Sequence, residues 1–105
     1  MAGPIFETAV LLEILKSHYK RGLMPRIHFW RTSTGREVDF VLDLNLRLTP
    51  VEAKLNMTPN PRMAEGITVF RKDYHGQVDQ GYVIHPGEAE TEVAEGVRVV
   101  GFDAM

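Results

Sequence analysis

Residues 37–55 decide the fold, and they read EVDFVLDLNLRLTPVEAKL. Apolar and polar residues alternate over 37–42, which predicts a strand with positions 38, 40 and 42 on one face. A tight turn at 43–45 separates this run from a second predicted strand at 47–55. Two strands joined by so short a connection predict an antiparallel hairpin.

Helices and further strands are predicted on both sides of this hairpin. Residues 5–21 favour a helix, because Pro4 suits its first turn and Gly22 follows its last. This helix is apolar around most of its circumference, so it must pack against a sheet and a second surface. The remaining predicted elements are strands at 26–31, 81–85 and 97–102 and a helix at 62–74. The order α-β-β-β-α-β-β predicts an α/β fold of the mixed-sheet, α+β kind with helices on the sheet faces.

Length and composition restrict the class of protein. A chain of 105 residues suits one domain, 1–105, and its 44% hydrophobic and 25% charged residues are typical of a globular protein. Because cysteine is absent, disulfides, thiolate zinc sites and cysteine nucleophiles are excluded. The longest strongly apolar run, 9–15, is too short to cross a bilayer, and no leader pattern opens the chain. We therefore expect a cytoplasmic protein with no membrane partner.

Basic and acidic residues are separated along the chain. Residues 16–36 hold six basic residues and no acid, whereas residues 88–105 hold five acids and one arginine. The net charge of −2 excludes a uniformly basic nucleic-acid coat. Two interpretations stay open: solvated faces, or a local basic surface that binds a phosphate backbone. The second would use Lys20, Arg26, Arg31 and Arg36.

Three acids and one lysine are the candidate catalytic residues. Asp39 lies inside an apolar strand, and Glu52 and Lys54 share one pleat face of the next strand. A buried carboxylate costs several kcal/mol unless it is paired or binds a cation, so this group predicts a Mg²⁺ or Mn²⁺ site. Glu7 lies within the apolar circumference of the first helix.

Each of these residues also has a purely structural interpretation. Glu52 and Lys54 suit a surface ion pair, Asp39 suits an edge charge that discourages sheet pairing, and Glu7 suits a helix N-terminus. Their order along the chain favours the site: a helix acid, a strand aspartate, then Glu-x-Lys. Phe29 and Trp30 are candidates for stacking on a base, although at least one of them is expected in the core.

This order resembles the PD-(D/E)XK nuclease superfamily, whose restriction-endonuclease-like core runs α-β-β-β-α-β. Four runs resemble more narrowly the domain of unknown function at the C-terminus of many prokaryotic AAA-type ATPases. These runs are GPIFE (3–7), FWRT (29–32), GREVDFV (35–41) and PVEAK (50–54).

The resemblance implies a role for each candidate residue. Asp39 and Glu52 would bind Mg²⁺ or Mn²⁺ together with the backbone carbonyl of Ala53. Lys54 would act on the attacking water, and Glu7 would reach the metal through water or position the site. The implied reaction is hydrolysis of a DNA phosphodiester bond.

The same resemblance leaves a second function open. The chain has no G-x-x-x-x-G-K-[ST] phosphate loop, so we expect either an excised domain or a stand-alone product. The alternative function is a non-catalytic interaction or regulatory domain associated with an AAA-type ATPase. A homodimer is expected under either function, because a small domain gains stability from a partner surface.

Overall fold

The structure is a computed structural model that describes residues 3–105 and, within them, contains a six-stranded mixed sheet and two α-helices. The helices are α1 (Pro4–Lys20) and α2 (Glu65–Asp73), and short 3-10 turns cover Pro61–Ala64 and Phe102–Ala104. The strands are β1 (Arg26–Arg31), β2 (Glu37–Leu44), β3 (Arg47–Ala53), β4 (Gly81–His85), β5 (Thr91–Ala94) and β6 (Val97–Gly101). The predicted mixed sheet is confirmed. None of the helices in this part of the chain is long and apolar enough to cross a membrane.

The sheet has the strand order β1-β2-β3-β4-β6-β5. Its first three strands form an antiparallel meander, whereas β3, β4 and β6 run parallel. A parallel pair needs a crossover, and α2 lies within the crossover that joins β3 to β4. The change from antiparallel to parallel pairing therefore occurs at β3.

Each face of the sheet carries its own apolar cluster. The cluster beneath α1 consists of Val10, Ile14, Phe40, Leu42, Val51, Ala53 and Ile84. The cluster beneath α2 consists of Val38, Val41, Met63, Ala64, Ile67, Phe70, Val83, Val97 and Val99. The central strands are consequently buried on both faces, as expected of parallel strands covered by helices.

A β-bulge interrupts the pairing of β1 with β2. The ladder passes from His28 to Trp30 with one extra residue on β2, so Asp39 and Phe40 both lie opposite Phe29. A bulge shifts the side-chain alternation by one residue at that point.

The bulge shows that the predicted faces of β2 are wrong. Val38 packs in the cluster beneath α2, whereas Phe40 and Leu42 pack in the cluster beneath α1. The three residues do not share a face, because the extra residue moves the remainder of the strand into the other phase. Strict alternation in a sequence carries no sign of this insertion.

The hairpin between β2 and β3 differs from its prediction at both ends. The turn is formed by Asn45 and Leu46, both with positive φ (52° and 67°), so β2 extends through Leu44. Two left-handed residues match the twist of a two-residue hairpin. The far end of β3 is Ala53, two residues short of the predicted end.

The sequence prediction omitted β5. Its side chains are exposed or half-buried, and it pairs with β6 alone at the edge of the sheet. Glu92 lies opposite Arg98 in the register, and the guanidinium group of Arg98 contacts Glu90 at 3.5 Å just before the strand. Within an acidic stretch, these residues carry too weak an apolar pattern to indicate a strand.

Gly66 allows α2 to lie directly against β2. A Cβ atom at this position would collide with the backbone carbonyl oxygen of Glu37. Glycine weakens an isolated helix by about 1 kcal/mol relative to alanine, yet here it permits a close approach of two main chains. The position of α2 over the first residues of β2 therefore depends on the missing side chain.

We predict that Gly66→Ala lowers the free energy of unfolding by about 1–3 kcal/mol, because overpacking outweighs the better helix propensity of alanine. Urea unfolding followed by circular dichroism measures this difference. Lys72→Ala, at an exposed position of the same helix, is the control and should change stability by less than about 0.5 kcal/mol. A Gly66→Ala protein as stable as the wild type would contradict the close approach.

Candidate functional site

Strands β2 and β3 separate into a fork next to the bulge. Their ladder includes the pair Phe40 and Val51, and beyond it side chains replace main-chain partners. The Asp39 N–H donates to Oε1 of Glu52 at 2.7 Å, and the Ala53 N–H donates to Oδ2 of Asp39 at 2.8 Å. Each carboxylate thus accepts a main-chain hydrogen bond from the opposite strand.

The fork opens because β3 continues its pairing on its other edge. Ala53 lies opposite Ile84 of β4, and the Lys54 N–H donates to the Ile84 carbonyl at 2.9 Å. The N–H and C=O groups of one strand residue point to the same side. Since the Ala53 N–H points to Asp39, the Ala53 carbonyl also faces the fork.

Glu52 is a buried carboxylate with a lysine partner. It is 3% exposed, and its Oε2 lies 3.3 Å from Nζ of the half-buried Lys54. Burial, followed by the charge of Asp39, raises the pKa of Glu52 from 4.5 to about 7, although Lys54 acts in the opposite direction. The ion pair expected for Glu-x-Lys is therefore present, but its acid is in the interior and not at the surface.

Glu7 adds a third carboxyl group from α1. It lies in the first turn of that helix, where it is half-buried. Burial, and then the carboxylate of Asp39, raise the pKa of Glu7 above its ordinary 4.5, with a smaller contribution from Glu37. Asp39 consequently contributes to the raised pKa of both other candidate acids, Glu7 and Glu52.

Two clefts border this group of residues. One, of about 430 Å³, is lined by Glu7, Asp39, Phe29, Trp30, Arg31, Glu37 and Val38. The other, of about 500 Å³, is lined by Lys54, Asn56, Asn60, Pro61, Arg62 and Met63. Glu7 and Asp39 therefore border one cleft and Lys54 the other, and the buried Glu52 contacts both Asp39 and Lys54.

The donor set at the fork suits a hard divalent cation. Asp39, Glu52 and the Ala53 carbonyl supply oxygen atoms, and Mg²⁺ needs only one or two carboxylates beside water and substrate oxygens. Burial first, and then the charge of Asp39, raise the pKa values of Glu7 and Glu52, and a bound cation would offset that charge. No group of three or more His, Asp or Glu side chains within residues 3–105 is arranged as a metal site, so the set is two carboxylates and a carbonyl.

The basic residues predicted to bind a phosphate backbone are divided between the two ends of β1. Arg26 lies opposite Asp43 at one end, and Arg31 lies opposite Glu37 at the other, about 17 Å away at ~3.3 Å per residue. Lys20 ends α1 on the approach to Arg26. The four residues therefore do not form one surface, and Arg31 is the one that lines the cleft of Asp39.

Ion pairs occupy the two arginines nearest the fork. Arg31 contacts Glu37 at 2.9 Å, and Arg36 contacts Glu65 at 2.7 Å, both at exposed positions. Exposed pairs of this kind contribute little to stability and exchange partners readily. Sequence reasoning did not select Arg62 or Asn60, which line the same cleft as Lys54. The signal that could have found them is the Asn- and Pro-rich segment directly after Lys54.

His85 holds in place the segment that follows Lys54. It is fully buried, with Nδ1 3.1 Å from the Asn56 carbonyl and Nε2 2.8 Å from the Ala89 carbonyl. A neutral ring donates to one of these oxygens and an imidazolium ring to both. This histidine thus joins the ends of β3 and β4 to their loops, consistent with the sequence, in which no histidine has ligand spacing.

We predict that the Glu52 carboxyl group makes stability depend on pH. Its pKa in the folded chain, about 7, lies above the ordinary 4.5, so the folded state binds this proton more tightly. The contribution of this carboxyl group to the free energy of unfolding is full below pH 4.5 and is lost as the pH rises through 7. For this group the free energy of unfolding falls by up to about 3 kcal/mol across that range.

Glu52→Gln provides the comparison, because its amide oxygen still accepts from Asp39 while the side chain no longer titrates. Urea unfolding at pH 5 and pH 8 should show a larger decrease for the wild type than for the variant. Equal decreases in the two proteins would contradict the raised pKa of Glu52.

Comparison with known proteins identifies the family of this chain. The family model described as "Domain of unknown function (DUF4143)" matches residues 2–105. Searches of curated proteins and of solved structures each found no match. Since the match covers nearly the whole chain, the protein belongs to the DUF4143 family of domains of unknown function.

Proposed function

We propose that this domain is a metal-dependent nuclease that hydrolyses DNA phosphodiester bonds. One observation carries the proposal: Asp39, Glu52 and the Ala53 main chain meet at the fork, with the Lys54 ammonium 3.3 Å from Glu52. The resemblance of these residues to the PD-(D/E)XK superfamily supports it.

Asp39, Glu52 and the Ala53 carbonyl would hold Mg²⁺ or Mn²⁺. When bound, such an ion supplies a nucleophilic water at neutral pH and offsets charge on the phosphate. The hydrogen bonds from Ala53 to Asp39 and from Asp39 to Glu52 orient both carboxylates before any ligand arrives. A site held in this way requires little reorganisation during the reaction.

Lys54 and Glu7 have different tasks in this proposal. The Lys54 ammonium lies beside Glu52 and faces a cleft, where it would bind the attacking water and stabilise charge on the phosphate oxygens. Glu7 shares the other cleft with Asp39, where it would reach the metal through water or position the site.

We predict that Lys54→Ala lowers the rate of DNA cleavage by about 10²–10³-fold, because it removes one charged donor from the reacting phosphate. Single-turnover cleavage of single-stranded and duplex DNA in Mn²⁺ measures this loss. Lys72→Ala removes an exposed lysine from α2 and should cleave at the wild-type rate.

Metal binding is measured separately by calorimetry with Mn²⁺. Wild type and Lys54→Ala should bind the ion, whereas the double variant Asp39→Asn/Glu52→Gln should not. Wild-type cleavage that persists in Lys54→Ala would overturn the catalytic assignment. Binding unchanged in the double variant would show that these acids are not the ligands.

A second candidate function is a non-catalytic interaction module, of the kind implied by the resemblance to ATPase-associated domains. The observation that favours it is an exposed apolar stripe on α1, formed by Ile5, Leu12 and Tyr19. These residues are seven apart, which is the spacing of a helix–helix seam. Leu12 is the midpoint of α1, so a two-fold axis there would place Ile5 against Tyr19 of a second copy.

Under either function we predict a homodimer that Leu12→Lys dissociates, because a charge at the two-fold axis would face its own copy. Light scattering should give twice 11.9 kDa for the wild type and 11.9 kDa for the variant. Leu46→Lys changes an exposed leucine in the hairpin turn and should leave the mass unchanged. A monomeric wild type at high concentration would contradict the seam.

A further inference from the structure

Phe29 is a large apolar side chain left in solvent beside the fork. It is 80% exposed, whereas its neighbour Trp30 packs edge-on against Phe70 with ring centroids 5.2 Å apart. Of the two aromatic residues suggested by the sequence, Trp30 therefore belongs to the core and Phe29 does not.

One side of the Phe29 ring contacts the buried ring of Phe40. Its centroid lies 6.3 Å from that of Phe40, at an interplanar angle of 47°. Phe40 is buried in the cluster beneath α1, so it limits the movement of Phe29 towards the sheet. The ring therefore contacts Phe40 on one side and presents most of its flat apolar surface to solvent.

The bulge places this surface next to the candidate active site. Phe29 lies directly opposite Asp39 on the neighbouring strand, and both line the cleft of about 430 Å³. Arg31 lines the same cleft with an exposed guanidinium group. An aromatic face, a cation and the Asp39 carboxylate within one cleft match the base, the phosphate and the reacting centre of a single nucleotide.

We propose that Phe29 is a stacking platform for an unpaired base of single-stranded DNA next to the scissile phosphate. This inference rests on the proposed nuclease function and adds its substrate class. An unpaired base is required because both faces of a base inside a duplex are already covered by its neighbours. Arg31 contacts the adjoining phosphate when it exchanges Glu37 for the DNA backbone.

Fluorescence anisotropy tests the platform in a Lys54→Ala background, in which the predicted slow cleavage leaves the DNA intact during the measurement. The probes are a labelled single-stranded oligonucleotide, its blunt duplex and a strand of abasic residues, all in Mn²⁺. Phe29→Leu removes the ring but retains apolar volume, and Phe29→Tyr retains the ring. Leu46→Ala is the control, because it removes an exposed apolar side chain from the hairpin turn, outside both clefts.

Phe29→Leu should weaken binding of the single strand by about ten-fold, as expected for the loss of one base–aromatic stack. Phe29→Tyr and Leu46→Ala should bind as the parent does, and the abasic strand should not distinguish any of the variants. Equal binding of the single strand by Phe29→Leu and the parent would overturn the proposal. An equal loss on the abasic strand or on the duplex would also overturn it.

The two proposals fail in different ways. DNA cleavage that depends on Lys54, together with single-strand binding indifferent to Phe29, would retain the nuclease and overturn the platform. Binding that depends on Phe29, with no cleavage of any DNA, would support the platform and overturn the nuclease. A change of mass by light scattering in Phe29→Leu would assign the ring to an interface between copies and overturn the platform.

Discussion

The exchange of hydrogen bonds between carboxylates and main-chain amides at the fork is the constraint on which the site depends. Where β2 and β3 part, the N–H groups of Asp39 and Ala53 would lose their ladder partners, and buried donors without partners are costly. Glu52 and Asp39 supply the missing acceptors at 2.7 and 2.8 Å. The acids that stabilise the opening of the sheet are therefore the acids proposed for catalysis.

Burial and like charge give this arrangement its chemical character. Glu52 is nearly inaccessible, Asp39 lies beside it, and Glu7 approaches from α1, so the pKa values of the two glutamates rise. The Lys54 ammonium group, two residues after Glu52 in the chain, offsets part of this repulsion. The elements α1, β2 and β3 thus place three carboxyl groups close together. In a folded chain such groups stay in contact only when they are paired, protonated or bound to a cation.

Packing and hydrogen bonds around the fork maintain the positions of the carboxylates and of Lys54. The missing side chain of Gly66 lets α2 lie against the first residues of β2, and the bulge at Asp39 and Phe40 then turns that strand. On the other side of the fork, His85 holds the segment after Lys54 by hydrogen-bond contacts with two carbonyls. Stability and candidate function consequently share the same residues, so variants must be tested for both.

Local patterns in the sequence were sufficient for the helices, the strands that are buried on both faces and the candidate acids, because periodicity and unusual charge are properties of adjacent residues. Local patterns did not reveal the edge strand β5 or the bulge, since neither alters the apolar pattern strongly. The ion pairs of Arg31 with Glu37 and of Arg36 with Glu65 also became visible only in the fold. The sequence by itself determined which side chains are available. The tertiary structure decided which of them meet, because the fork and the contact of Phe29 with Phe40 form between different strands.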